Sequence, residues 1–237
     1  MKSKDFRVDS GRRAKADGHT KEHILCDMLS KKTGIIHSVD GGTRTKRDIL
    51  CEQLGKYYSI KSPSGKNTQV HLTPTHIWCE YFNIGGDLRK WFDMFFGLPS
   101  TGRSGRLGAS KIPANLNSLA LNWFNDNKME IFDVIVTKGA YKRDNKIEAG
   151  EPINQVIWFN KKINEVEIEV SVEFLSNLVK KGRWEVSKND TVLHFFDQNG
   201  NKLFHLQMKG SGNLSQKNSM QFHIYKPSLQ ILSITNE

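Results

Sequence analysis

TKRDILCEQLGKYYSIKS, Thr45 to Ser62, reads as a strand, a turn and a second strand. Asp48 opens one apolar run, Ile49-Leu50-Cys51, and Lys61 closes another, Tyr57-Tyr58-Ser59-Ile60. Gly55 lies between them and marks the turn of a hairpin. Strand side chains alternate, so Ser59 and Lys61 share one face while Ile60 points the other way, into a core, its carbonyl still available. The hairpin therefore offers an acid and an amine. An ordinary hairpin with a surface lysine has the same pattern, so the rest of the chain must decide between the two.

Upstream, GHTKEHILCDMLSKKTG predicts a helix from Gly18 to about Lys32, with Ile24, Leu25, Met28 and Leu29 on its buried face, Thr20 as cap and Gly34 as stop. Glu22 lies in its first turn. Downstream, SPSGKNTQV reads as a polar loop, and PTHIWCEYFN and DLRKWFDMFFGLP as aromatic-rich amphipathic helices. PSTGRSGRLGASKIP, residues 99–113, is glycine-rich, basic and almost without apolar residues. It reads as a mobile loop, serving either as a linker or as a phosphate contact through Arg103, Arg106 and Lys111. The next segment predicts a short helix and then a strand from Met129 to Val136. NQVIWFN and EVEIEV read as strands, and VSVEFLSNLVKKG as a strand running into a helix. Three strands close the chain, TVLHFFD, KLFHLQMKG and SMQFHIY, the first two joined by the turn DQNGNK. His194, His205 and His223 lie on these strands and are expected to be satisfied structural residues.

At 237 residues the chain can build one sizeable core, or two small lobes sharing one. No apolar run approaches the roughly 18 residues of a membrane span, and the basic N-terminus lacks the apolar segment of a secretory signal. Cys26, Cys51 and Cys79 form no CxxC pair, so neither a zinc site nor a disulfide framework is expected, and a cytoplasmic setting is. A net charge of +10, dispersed rather than gathered in a tail, points to a polyanion, most simply nucleic acid.

The C-terminal stretch FHLQMKGSGNLSQKNSMQFHIYKPSL turns that charge into a specific expectation. Gln207-Met208-Lys209-Gly210-Ser211-Gly212 followed by Met220-Gln221-Phe222 resembles the ending of small type II restriction endonucleases of the PD-(D/E)XK superfamily, the MspI-like group in particular. LALNWFNDNKMEIFDVIVTKG, AKADGHTKEHI, TKRDI and NTQVHLTPTHIWCEYF resemble further segments of that group. The resemblance implies a mixed α+β fold, a central mixed sheet flanked by helices. It implies a single domain over 1–237, with 1–100 mainly catalytic and 101–237 mainly DNA-recognising.

It also implies metal-dependent hydrolysis of duplex DNA at specific sites, with Mg²⁺ as cofactor. Asp48 and the Ile60 carbonyl would hold the metal, Glu22 would supply a second carboxylate and Lys61 would activate water. Ser59 stands where most relatives carry a carboxylate, although the group also accepts Asn or Gln. The C-terminal region would contact DNA through Gln207, Lys209, Gly210, Ser211, Gly212, Gln216, Lys217 and Gln221, alongside Arg103 and Arg106. The implied state is a monomer or a weak dimer on DNA, with a companion DNA methyltransferase in the host. The alternative, motivated by Ser59, is a sequence-specific DNA-binding protein without nuclease activity. An RNA-binding protein rests on charge alone.

Overall fold

The computed structural model describes residues 4–40, 45–62, 65–97, 105–143, 146–160, 162–188, 190–209 and 219–234. Two five-stranded sheets organise it. The first orders β1 (Ser38–Val39), β2 (Ile49–Cys51), β3 (Lys56–Lys61), β7 (Gln155–Asn160) and β8 (Glu165–Ser171). It is mixed, because β3 runs parallel to β7 while its other pairs are antiparallel. The second sheet orders β4 (Asn67–Pro74), β12 (Ser219–Tyr225), β11 (Lys202–Lys209), β10 (Val192–Phe196) and β9 (Arg183–Val186), antiparallel throughout. β5 (Ala140–Arg143) and β6 (Lys146–Ala149) pair separately. The described residues contain seven α-helices: α1 (Lys4–Thr33), α2 (Thr75–Tyr81), α3 (Gly86–Phe96), α4 (Ala114–Asp126), α5 (Lys128–Phe132), α6 (Val172–Lys181) and α7 (Lys226–Ile234). The class is mixed α+β, as expected, with its β-structure divided between two sheets. Each sheet draws strands from both sides of residue 100.

Strand β7 shows how the layers are built. Val156 and Trp158 enter the main core, which also holds Phe204, Leu206, Met220 and Phe222 of the second sheet. Ile157 and Phe159, on the opposite face, pack with Leu25, Cys26 and Leu29 of α1. A strand buried on both faces reads as a continuous apolar run, and QVIWFN does. Trp158 Nε1 donates to Thr68 Oγ1 of β4 at 3.1 Å, linking the two sheets through the core. Asn154 fastens the hairpin turn to β7: its side chain accepts from the Tyr57 amide and donates to the Gly55 carbonyl. Gly55 sits at φ +58°, where an L side chain is strained.

Several local expectations are corrected. The helix α1 begins at Lys4, so Thr20 lies within it and does not cap it, whereas Gly34 closes it in the left-handed region with its N–H on the Ser30 carbonyl. The polar run after Lys61 enters strand β4 at Asn67 instead of remaining a loop. Met129 to Val136 is helical, α5 passing into a π-helical turn at Asp133–Lys138. Ile131, Phe132, Val134, Ile135 and Val136 are all buried there, and Glu130 and Asp133 alone break the apolar run, too few to mark a helical period against a short buried strand. Of the basic glycine-rich stretch, 99–104 lies outside the described residues. The remainder is pinned, with Ala109 N–H on the Asp190 carbonyl and the Ser110 backbone and hydroxyl on the Asp190 carboxylate.

Candidate functional site

Asp48 sits just ahead of β2, its backbone held from both sides. Its N–H donates to the Tyr58 carbonyl at 2.8 Å, and Asp40 N–H donates to its own carbonyl at 3.1 Å. Its carboxylate Oδ2 accepts from Ser59 Oγ at 3.1 Å and from the Ile60 N–H at 2.5 Å. Lys61 Nζ donates to the same Ser59 Oγ at 2.7 Å. The hydroxyl thus gives its proton to the acid and accepts from the amine, joining Asp48, Ser59 and Lys61 in one chain. Ser59 is 1% exposed, whereas Asp48 and Lys61 are half-buried, so the hydroxyl is enclosed and the chain opens at its two charged ends.

The N–H and C=O of one strand residue face the same neighbour. The Ile60 carbonyl therefore emerges on the Asp48 side, past Ile49–Tyr58, the last cross-strand pair of β2 and β3 on that side. The Ile60 side chain packs against the α1 cluster, on the opposite face from Ser59 and Lys61.

Sequence reasoning missed two residues beside this chain. Lys46, 8% exposed, donates to the Val70 carbonyl at 2.9 Å and the Ile135 carbonyl at 2.5 Å. His71 is also 8% exposed, with Nε2 buried and unpartnered among the described residues. Strict alternation along NTQVHLTP would turn His71 outward with Asn67 and Gln69. The register with β12 slips instead: Gln69 faces His223 and His71 faces Phe222, leaving Val70 opposite no residue. This bulge turns both Val70 and His71 inward, and no sequence signal marks it.

Burial lowers the pKa of each of these nitrogens. Lys46 is pushed well below the usual lysine range by burial, then by Lys61, against a smaller opposing pull from Asp48. Lys61 is pushed down by burial, with Asp48 opposing. His71 is held well below the usual histidine range by burial, then by Lys46 and Lys61. Asp48 thus acts on both amines, and the two amines on the imidazole, so these side chains form one electrostatically coupled cluster.

The helix α1 also reaches the end of β3. Lys21 Nζ donates to Ser62 Oγ at the end of that strand. The Glu22 carboxylate pairs with His19 at 3.1 Å, not with the Asp48 chain. Among the described residues no group of three His, Cys, Asp or Glu side chains gathers as a metal cage. Mg²⁺ does not need one, since it binds through one or two carboxylates with carbonyl, phosphate and water oxygens. Asp48 Oδ1 has no protein donor among the described residues, and with the Ile60 carbonyl it fits that donor set.

The outward face of the second sheet carries the C-terminal candidates. Gln207 Nε2 donates to Gln221 Oε1 at 3.1 Å, and Gln221 Nε2 to Gln69 Oε1 at 2.5 Å, a row of three amides across β11, β12 and β4. Lys209 is exposed at the end of β11. Beside the row, the His205 ring lies 4.5 Å from His223 and 6.3 Å from His194. His223 is not the satisfied residue expected, because both its ring nitrogens are buried without a partner among the described residues. Asp197, fully buried in the β10–β11 turn, accepts from the Asn199 and Asn201 amides and the Asn201 side chain, which makes it a turn residue. Arg106 is half-buried. Arg103, Gly210, Ser211, Gly212, Gln216 and Lys217 lie outside the described residues.

No family model and no curated protein matches the chain. Among solved structures, the chain is similar to the crystal structure of the restriction endonuclease MspI in complex with its cognate DNA. The TM-score is 0.46 and the identity 13%, over 79% of this chain and 69% of that one.

Proposed function

We propose that the chain is a site-specific, Mg²⁺-dependent endonuclease of duplex DNA, a type II restriction enzyme of the PD-(D/E)XK kind. The observation that carries this is the Asp48–Ser59–Lys61 chain beside the Ile60 carbonyl. Asp48 Oδ1 and that carbonyl would hold the metal, which supplies Lewis-acid polarisation of the phosphate and acidification of bound water. Lys61, its pKa lowered by burial, is neutral more of the time than a surface lysine and so is more often free to accept a proton from the attacking water. Ser59 holds that amine in register with Asp48. Lys21, at the end of β3, adds positive charge where a phosphodiester would enter. The glutamine row, with Lys209, would contact DNA, since amides pair with adenine edges and amines with guanine or phosphate. Glu22, whose carboxylate pairs with His19, is given no part in holding the metal. A monomer or weak dimer on DNA, and a companion methyltransferase protecting the host, complete the proposal.

Incubation of supercoiled plasmid with Mg²⁺ is expected to give discrete fragments, and Asp48→Ala and Lys61→Ala are each expected to abolish cutting while DNA is still bound. Absence of cutting across many DNA substrates with Mg²⁺ or Mn²⁺ would overturn the proposal. One observation favours a second reading, DNA binding without hydrolysis: Ser59 offers no carboxylate to the metal. Calorimetry in the presence of DNA separates the two, because the binding protein would take up no Mg²⁺.

A further inference from the structure

We infer that Lys46 is a positioning residue, tying the segment that carries Asp48 to the sheet that carries the glutamine row; the catalytic part of this inference rests on the nuclease reading. Lys46 lies two residues before Asp48 and is buried. Its amine grips two carbonyls, each at an irregular place in the backbone. Val70 is the bulge residue of β4, left without a cross-strand partner on β12. Ile135 lies within the π-helical turn Asp133–Lys138. A regular strand or α-helix commits its carbonyls to its own ladder, whereas a bulge or a π-turn leaves carbonyls for other donors. A lysine amine, with two N–H donors when neutral and three when protonated, can satisfy two such carbonyls at once. The neighbours of Lys46 face elsewhere: Arg47 stacks over Tyr57 and donates to the Pro152 carbonyl.

The consequence lies in what sits next to each end of this link. Gln69, immediately before Val70, ends the glutamine row on the outward face of β4. Asp48, two residues after Lys46, holds its carboxylate on the Ile60 N–H. One side chain therefore joins the backbone of the polar outer face to the backbone of the acid. If DNA on the glutamine row shifts β4, Lys46 carries the shift to Asp48, and occupancy of the outer face bears on the geometry of cutting.

The test uses Lys46→Met, which keeps length and loses the donors, and Lys46→Arg, which keeps donors. Three quantities are read: DNA affinity, cleavage rate at saturating DNA and Mg²⁺, and hydrogen exchange of the Ile60 amide, whose acceptor is the Asp48 carboxylate. For Lys46→Met, affinity within about twofold of wild type is expected, with cleavage slower by about 10²-fold, the scale of a misplacement of about 1 Å. The Ile60 amide is expected to exchange at least about tenfold faster, and Lys46→Arg to recover part of both losses. Unchanged Ile60 exchange in Lys46→Met overturns the inference whether or not the protein cuts DNA. Equal losses of affinity and cleavage rate also overturn it, since they describe a merely structural lysine. If wild type does not cut, the nuclease reading falls and the exchange measurement alone decides the positional link. Should Lys46→Met fail to fold, Lys46→Gln, whose shorter amide cannot span both carbonyls, carries the same measurements.

Discussion

Ser59→Ala is the most informative single change at the candidate site. It removes a buried hydroxyl that donates to Asp48 and accepts from Lys61. Hydrogen bonds to charged groups contribute about 1.5–3 kcal/mol each. Asp48 keeps the Ile60 N–H as a donor, so its loss is partial. Lys61 loses its hydrogen-bond acceptor among the described residues and swings toward Asp48, recovering part of its own loss. A net penalty of about 2 kcal/mol on holding the amine in place corresponds to about 30-fold in cleavage rate. The direction of the pH response is also set. Asp48 raises the Lys61 pKa while burial lowers it, so a closer approach to Asp48 moves the pKa up. If neutral Lys61 takes the proton from water, the rising limb of the pH–rate profile shifts to higher pH. Single-turnover cleavage of plasmid across a pH series reads both effects. A Ser59→Ala protein that cuts at the wild-type rate with an unshifted profile would refute the relay.

Three further outcomes are expected. His205 titrates at about 4 against an ordinary 6.5, through burial and then its neighbours His223, His194 and Lys202. Between those values the unfolded chain binds the proton and the folded one does not, so stability falls as pH drops through the window, by about 3 kcal/mol in total. Urea denaturation at pH 7 and pH 4.5 should show that slope in wild type and a flatter one in His205→Asn; equal slopes would discard the assignment. Asp197→Ala leaves two backbone donors of the β10–β11 turn without their acceptor and should lower unfolding free energy by about 3 kcal/mol, measured by urea titration. Gln221→Leu interrupts the glutamine row on both sides and should reduce discrimination between DNA sequences by about 1–3 kcal/mol. Competition binding with unrelated duplexes checks it, and unchanged selectivity counts against the row as a reading surface.

Much of the site was legible because it is local. A glycine turn, period-two alternation and an apolar run on each side suffice to set Asp48 against Ser59 and Lys61. Ser59 lies only 11 positions after Asp48, and Lys61 lies 2 after Ser59. The C-terminal hairpin was legible for the same reason, its turn residues being able to satisfy their own backbone through Asp197. The helical run from Met129 to Val136 was misread because a short apolar run broken only at Glu130 and Asp133 does not tell a buried helix from a buried strand.

By itself, then, the sequence determined the hairpin, the face on which Ser59 and Lys61 lie, the strands of the C-terminal meander and a basic charge suited to a polyanion. The tertiary structure alone decided that β3 lies parallel to β7, that the β-structure splits into two sheets, and that Lys21 rather than Glu22 reaches the end of β3. It alone decided that a bulge turns His71 inward and that Lys46 bridges carbonyls 24 and 89 residues away. The physical reason is one of range. Alternation and turn chemistry act between neighbours along the chain, whereas a bulge or a buried amine between two carbonyls exists only once distant segments have packed and left polar groups to satisfy.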